Sequence, residues 1–376
     1  MNSLKYKIGI DARELEKSGY GVARYIRNVI NSLISCTDDL QLYLYFKEKI
    51  PDLEFLNNEK VKLCQIKLPG LFKRDIIWQQ IYLPKQLKKD GIDLFFSGQY
   101  TIPYNIKIPS ICVVHDLSYF VNPRWFPFRE GFLLRLLSRI SLRKATKIIA
   151  SSDITAKDIN KYLSIKQDRI ITNYPGLSEN FFSTPKSGDN AILLKYSIKS
   201  RYILWIGSIL NRRKIELLLS AYEEVAKDFD DVNLVIIGKE RCSPKIELKR
   251  KIDNHPFSER ITYIEYIQEN ELISFYDNAI LFVFLSVYEG FGYTPLEGAL
   301  RKLPIILYEN PTFKEIFGNY AEFISDKCSL VKAIKNCILQ VHLKSRIQDF
   351  ITIIEEKYRA DVNNKNIIAI INNVLH

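Results

Sequence analysis

The sequence predicts an α/β protein built of two Rossmann-like domains facing a cleft. Three observations carry this reading. Short apolar runs of strand length alternate with stretches of helical periodicity, the pattern of βαβ units around a parallel sheet. The alternation breaks at STPKSGDNAILLKYSIK (183–199), a stretch holding Pro, Ser, Gly and Asp, and then restarts. A length of 376 residues is enough for two cores.

In order, KIGIDA (7–12) reads as a strand and GVARYIRNVINSLISC (21–36) as an amphipathic helix. LQLYLYF (40–46), VKLCQIKL (61–68), IDLFFSG (92–98), SICVVHD (110–116) and KIIASS (147–152) are strands bounded by turn or polar residues. Helices are expected around 76–89 and 130–146. After the linker come a strand, RYILWIG (201–207), and a helix, KIELLLSAYEEVAKDF (214–229). NLVIIG (233–238), ITYIEYI (261–267), AILFVFL (279–285), LPIILY (303–308) and AEFIS (321–325) complete a second set of strands. One helix over 347–373 closes the chain. The domain bounds read this way are 1–185 and 186–345, with the C-terminal helix in 346–376.

Composition narrows the function classes. The chain is 47% hydrophobic and 26% charged, as expected of a soluble globular protein. No apolar run reaches the roughly 18 residues of a membrane span, and MNSLKYKIGIDAR has no signal-peptide core. Cysteines 36, 64, 112, 242, 328 and 337 form no CxxC pair, which points away from a disulfide framework or zinc site and toward a reducing cytosol. Charge is lopsided. Residues 1–185 hold 28 Lys and Arg against 18 Asp and Glu, a balance of +10, while the remainder holds 26 against 25. A one-sided basic balance suits an acidic partner or is simply a solvated surface.

Four motifs sit at strand ends, where open α/β sheets bind ligands. WIGSILNRRKIELLL sets Gly207 at a strand end and Arg212, Arg213 and Lys214 where a helix begins. Cations oppose the dipole at that end, and a phosphate between them resolves the conflict; the bland alternative is a solvated basic turn. ELEKSGYGVARY sets Gly19 and Gly21 between the first strand and helix, for backbone approach to a phosphate or sugar, or as an ordinary glycine turn. SICVVHD ends in His115 and Asp116, where a histidine can bond a sugar hydroxyl or be structural. EGFGYTPLE (289–297) places two glutamates around Gly290, Gly292 and Pro295. The backbone of Gly292 to Thr294 would face a diphosphate. Glu297, in the first helical turn, would accept from ribose hydroxyls, and Glu289 would lie by the reacting sugar. Asp38-Asp39 and Asp230-Asp231 read as turn residues rather than metal ligands.

These motifs together resemble family 4 of the retaining glycosyltransferases, of glycosyl transferases group 1 type. IGIDAREL and GYGVARY resemble its opening strand and glycine loop, VVHDLSYFVNP its His-Asp strand, and YILWIGSILNRRKIELLLSAY its phosphate-binding turn. IIASSDITAKDI and ITNYPGLSENFF resemble its serine strand and the approach to the linker. EGFGYTPLEGALRKLPII resembles its E-x7-E signature, the most specific of the set. The resemblance implies a GT-B fold, with the C-terminal helix packing back on the N-terminal domain. It implies a nucleotide diphosphate sugar as co-substrate, with no cofactor and no metal. Arg213, beside Arg212, would grip the diphosphate in place of the usual lysine, and Gly21, with Tyr20 next to it, would lie under the phosphates. Glu297 would bind ribose, Glu289 the donor sugar near its 3-hydroxyl, and His115 the donor sugar and acceptor side. Gly207, Gly290, Phe291, Gly292, Tyr293 and Thr294 would line the donor site, and the base would stack near Ile267. Tyr20, Lys214, Glu265 and Lys302 depart from the family's glycine-rich pattern.

The basic half has its own signature. Arg135, Arg139 and Arg143 recur every four residues in EGFLLRLLSRISLRKATK (130–147), so they share a helical face, after the aromatic WFPF (125–128). KLPGLFKRDIIWQQIYLPKQLKK (67–89) adds a second basic, aromatic stretch. One reading packs the helix by Leu133, Leu134, Leu137 and Ile140 with a solvated polar face. The other docks it on an anionic membrane surface or lipid diphosphate; nucleic acid is disfavoured. The function that follows is hexose transfer, with GDP-mannose or a rhamnose-like donor preferred, to a glycan or lipid-linked acceptor in cell-surface polysaccharide synthesis. The location expected is cytoplasmic, peripheral on the inner face of the membrane. A nucleotide-sugar epimerase or phosphorylase, and a non-catalytic partner subunit, are the alternatives.

Overall fold

A computed structural model of the chain describes residues 6–17, 21–37, 39–68, 75–183, 191–198, 201–339 and 344–376. Tyr20, Gly19, Asp38, residues 69–74 of the second basic stretch and residues 184–190 and 199–200 of the expected linker lie outside the described residues.

The chain divides into two compact units. The first comprises Met1–Val121, Phe128–Gly176 and Tyr358–His376, and the second Asn122–Pro127 and Leu177–Lys357. The first holds a seven-stranded sheet in the order β3-β2-β1-β4-β5-β6-β7. Its strands are β1 Tyr6–Asp11, β2 Leu40–Phe46, β3 Val61–Gln65, β4 Leu94–Ser97, β5 Ser110–Val114, β6 Lys147–Ala150 and β7 Ile170–Thr172. The second holds a six-stranded sheet in the order β10-β9-β8-β11-β12-β13. These are β8 Tyr202–Ile206, β9 Asn233–Ile237, β10 Ile261–Ile264, β11 Leu281–Phe284, β12 Ile305–Tyr308 and β13 Glu322–Ile324. Strand pairing is parallel in both.

Strands buried on both faces need continuous apolar runs, and β8, β9 and β11 have them. The Val22–Cys36 helix instead buries one stripe, Ala23, Ile26, Val29, Ile30 and Leu33, against β1 and β2 residues in one cluster. In each sheet the strand order reverses once, between β1 and β4 and between β8 and β11. The loops leaving those strands therefore converge at the carboxyl ends of the sheets, where a crevice for ligand forms.

The expected boundary at 185 moves to Gly176. Leu177 and Phe181 are buried in the second unit, Phe181 packs edge-on to Tyr276 at 6.1 Å, and the carbonyls of Phe181 and Ser183 accept from Arg301. The single expected C-terminal helix is two, Lys344–Lys357 and Ala360–Leu375. Arg359 is extended (φ −70, ψ 145) and caps the second helix, while Tyr358 is buried edge-on to Tyr174 at 5.3 Å. The break lets each part serve a different core. Phe350 stacks on Tyr320 at 4.7 Å in the second unit. Ile367, Ile370 and Ile371 join the core of the first, and Asn364 Nδ2 donates to Ser32 Oγ at 2.7 Å. The final helix thus packs on the N-terminal domain, as the resemblance implied, and the preceding helix belongs to the second unit. Gly176 allows the approach, since a Cβ there would meet Ala360 Cα at 2.2 Å.

The Phe128–Lys144 helix does not bury the stripe Leu133, Leu134, Leu137 and Ile140. Gly131, Ser138, Ser141 and Leu142 are buried, while Leu133 and Ile140 are exposed.

Candidate active site

In the second unit the site assembles from the loops after β8 and β11. Gly207 follows β8 with φ +154, and a Cβ on it would meet Arg213 Nη1 at 2.8 Å. Its partner is Gly238, which follows β9 and was not singled out from the sequence. A Cβ on Gly238 would meet the Gly207 carbonyl oxygen at 1.9 Å. Asn211–Arg213 then forms one tight turn, and Lys214, in the left-handed region at φ +40, starts the Ile215–Asp228 helix. Asparagine and glycine adopt that conformation more readily than lysine does. Lys214 Nζ lies 4.5 Å from the Tyr308 ring centroid.

Arg213 crosses back over the sheet. Its guanidinium lies 4.9 Å from the Phe284 ring centroid, Nη1 donates to the Ser208 carbonyl at 2.9 Å, and Nε donates to Glu289 Oε1 at 2.8 Å. Arg212 approaches the other oxygen, Nη2 to Oε2, at 3.8 Å. All three side chains are shielded, with Glu289 8% exposed and Arg212 9%. Two guanidiniums thus face one carboxylate in a low-dielectric place, a setting that suits an anion.

Glu289 is held by what lies behind it. Thr312 Oγ1 donates to the Glu289 carbonyl at 2.7 Å, and Asn310 Nδ2 donates to the Ser286 carbonyl at 2.7 Å. Both come from the start of the Pro311–Phe317 helix. Gly290 and Phe291 follow, with Phe291 buried edge-on to Tyr293 at 5.3 Å. Gly292 takes φ +114 with Phe313 pressed against it, where a Cβ would meet Cε1 at 2.8 Å. From Tyr293 and Thr294 the Tyr293–Leu300 helix begins, so its free amides follow Gly292 directly.

Two expectations change here. Glu297 is the fifth residue of that helix, in its second turn, because the helix starts at Tyr293 rather than beyond Pro295. It has no exposed surface, and Oε2 accepts from Tyr276 OH at 2.9 Å. Ile267 turns its side chain inward at 2% exposure and offers no stacking surface of its own, while Tyr266 beside it is 55% exposed. Glu265 is exposed. Lys302, where the family has glycine, takes φ +63, the conformation that favours glycine.

In the first unit, His115 and Gly21 stand at a strand end and a helix start. His115 follows β5, and its Nε2 donates to the Gly98 carbonyl at 2.9 Å. The Tyr25 ring meets it edge-on at 5.1 Å. Burial depresses its pKa, against smaller upward pulls from the bond to Gly98 and from Asp116. A neutral ring with its proton on Nε2 presents Nδ1 as an acceptor. Asp116 is spent locally, accepting from Ser118 N at 2.9 Å and from its hydroxyl at 2.6 Å. Gly21 has φ +75 and starts the Val22–Cys36 helix with nothing within 4 Å of a built Cβ, so conformation and not crowding requires glycine.

Among the described residues no three His, Cys, Asp or Glu side chains gather as a metal site. Asp231 of the second aspartate pair is bonded to Arg201.

Comparison with known proteins decides the family. The family model "Glycosyltransferase Family 4" matches residues 20–181 and the model "Glycosyl transferases group 1" matches residues 195–349, together most of the chain. The chain belongs to glycosyltransferase family 4. It is a glycosyltransferase, and its two parallel-sheet units are those of the GT-B fold. It is 24% identical over 331 residues to the O-antigen chain mannosyltransferase B of Escherichia coli, covering 85% of this chain and 86% of that one. Sucrose-phosphate synthase from Thermosynechococcus elongatus superposes with a TM-score of 0.79 at 13% identity, over 98% of this chain and 99% of that one. A crystal structure of Anabaena HepE in complex with UDP-glucose superposes with a TM-score of 0.73 at 15% identity, over 98% of this chain and 99% of that one. At such identities the structures speak for the fold alone.

Proposed function

We propose that this glycosyltransferase is a retaining mannosyltransferase that uses GDP-mannose and no metal or other cofactor. Its acceptor is a hydroxyl of a glycan or lipid-linked glycan in cell-surface polysaccharide synthesis, lipopolysaccharide among them. The observation that carries the reading is the convergence of Arg212 and Arg213 on the single carboxylate of Glu289 beside two helix starts. A diphosphate suits this cationic arrangement. The relative named a mannosyltransferase favours mannose.

In this reading Arg213 and Arg212 stabilise the departing nucleoside diphosphate, assisted by the backbone from Gly292 to Thr294 and by Gly207. The anomeric C–O bond to phosphate breaks, and the acceptor hydroxyl attacks from the same face. Its proton passes to the departing phosphate oxygen. Glu289 orients the mannose near its 3-hydroxyl, Glu297 takes the ribose, and neutral His115 accepts from a sugar hydroxyl. Gly21 lies near the phosphates, and the backbone at Ile267 meets the base. The basic surface bearing Arg135, Arg139 and Arg143 holds the first unit to the anionic inner face of the cytoplasmic membrane.

The test is thermal stabilisation by UDP, GDP, ADP, dTDP and the UDP- and GDP-sugars. A ligand present at about 100 times its Kd adds about 2.7 kcal/mol to the folded state. GDP and GDP-mannose are expected to raise Tm, and Arg213→Ala to abolish the rise. A rise with UDP and none with GDP overturns the donor. No rise with any nucleotide overturns the site and leaves a non-catalytic partner subunit as the better account.

A further inference from the structure

The Phe128–Lys144 helix in the first unit exposes Phe128, Phe132, Leu133, Leu136 and Ile140, while Gly131, Ser138 and Ser141 are buried beside Leu142. Phe128 is 82% exposed, Phe132 56% and Leu136 45%. Arg129, Arg139, Arg143 and Lys144 share the exposed surface. A cationic helix that turns leucine and phenylalanine outward suits a lipid interface rather than water.

Beside this surface lies a groove of about 300 Å³, at the small end of ligand sites. Its walls are Ile76, Ile77, Ile81, Ile102, Leu137 and Ile140. The polar atoms in it are already used. Ser141 Oγ bridges the N–H and carbonyl of Ile102 at 3.0 and 3.2 Å. Gln80 Nε2 donates to the same carbonyl at 3.2 Å, and its Oε1 accepts from Tyr104 N at 2.8 Å. The groove therefore presents hydrocarbon and recognises no sugar or nucleotide. One wall is a wide π-helical turn, Trp78–Tyr82, a rare conformation often found at functional sites. At the rim, Tyr104 is 59% exposed and its carbonyl accepts from Lys144 Nζ, which places a cation at the groove's edge.

We infer that the groove between residues 75–90 and the Phe128–Lys144 helix holds the hydrocarbon chain of a phosphate-bearing lipid, with the phosphate at Lys144. Charge complementarity selects this occupant, since the helix carries one acid, Glu130, among its basic residues. The inference rests on the membrane-facing role proposed for this surface and gives it a specific subsite.

Two assays separate subsite from surface. In the first, decyl phosphate below its micelle concentration is titrated into the full chain, with inorganic phosphate and shorter alkyl phosphates as comparators. Saturable one-to-one binding is expected, weakening by about fourfold for each methylene removed from the buried chain. Ile77→Trp, which fills the groove, and Ile81→Glu, at a position already 48% exposed, should each weaken it at least tenfold. In the second, co-sedimentation with phosphatidylglycerol-containing vesicles should be lost in Phe132→Ser/Leu136→Ser and kept in Ile77→Trp. Absence of saturable decyl phosphate binding, equal binding by inorganic phosphate, or binding unchanged in both groove variants overturns the subsite. Vesicle binding in that case leaves the membrane role standing. Groove binding without vesicle binding does the reverse.

Discussion

Glu289→Ala is expected to lower kcat by roughly 10²–10³-fold, the scale of losing one preorganised electrostatic contact in an active site. The same variant should bind GDP more tightly than the wild type. Both effects come from one geometry. Glu289 Oε1 holds Arg213 at 2.8 Å and Oε2 faces Arg212 at 3.8 Å, so the carboxylate and an incoming diphosphate compete for the same guanidiniums. Removing the carboxylate frees the arginines for phosphate but takes away the group that orients the sugar. Without ligand the variant takes a carboxylate away from two shielded guanidiniums, and breaking such a pair costs about 3–5 kcal/mol. Its Tm should fall and then rise more with GDP than that of the wild type. Calorimetric titration with GDP and a transfer assay check both halves. Weaker GDP binding in Glu289→Ala would contradict the competition.

Glu297→Gln should act on KM instead. A ribose held by a carboxylate is bound alike in the ground and transition states, so its loss raises KM and leaves kcat nearly unchanged. A hydrogen bond to a charged group is worth about 1.5–3 kcal/mol, which corresponds to a rise of roughly 10- to 150-fold. Tyr276 fixes the plane of that carboxylate through its 2.9 Å bond to Oε2, so Tyr276→Phe should raise KM by a smaller factor. Glu297 has no exposed surface, and a purely structural carboxylate makes a different forecast. In that case Tm falls in both variants and KM for GDP-mannose does not move. Steady-state kinetics with matched melting curves decide between them.

The fold was legible because its strands are continuous apolar runs, and such runs need no knowledge of distant contacts. β7 escaped, being three residues long between a polar turn and Asn173-Tyr174-Pro175. The break at Tyr358–Arg359 escaped because no glycine or proline marks it; the two cores that claim its flanks create it. In the site, Gly207, Arg213, Gly292 and Glu289 could be located from strand-end glycines and a helix start. Thr312, Asn310 and Tyr276 could not, because each reaches its partner across 18 or more residues with no local pattern. Leu133 and Ile140 misled for a related reason. Helical periodicity tells which residues share a face but not which face is buried, and Gly131, Ser138 and Ser141 turned out to be the inner one.

Sugar transfer from GDP-mannose should proceed with retained configuration. Incubating the protein with GDP-α-mannose and following the slow hydrolysis by proton NMR, before the free sugar mutarotates, tests it directly. α-Mannose should appear first, and Arg213→Ala should release none. Release of β-mannose first, or no hydrolysis of GDP-mannose while another nucleotide sugar is turned over, would contradict it.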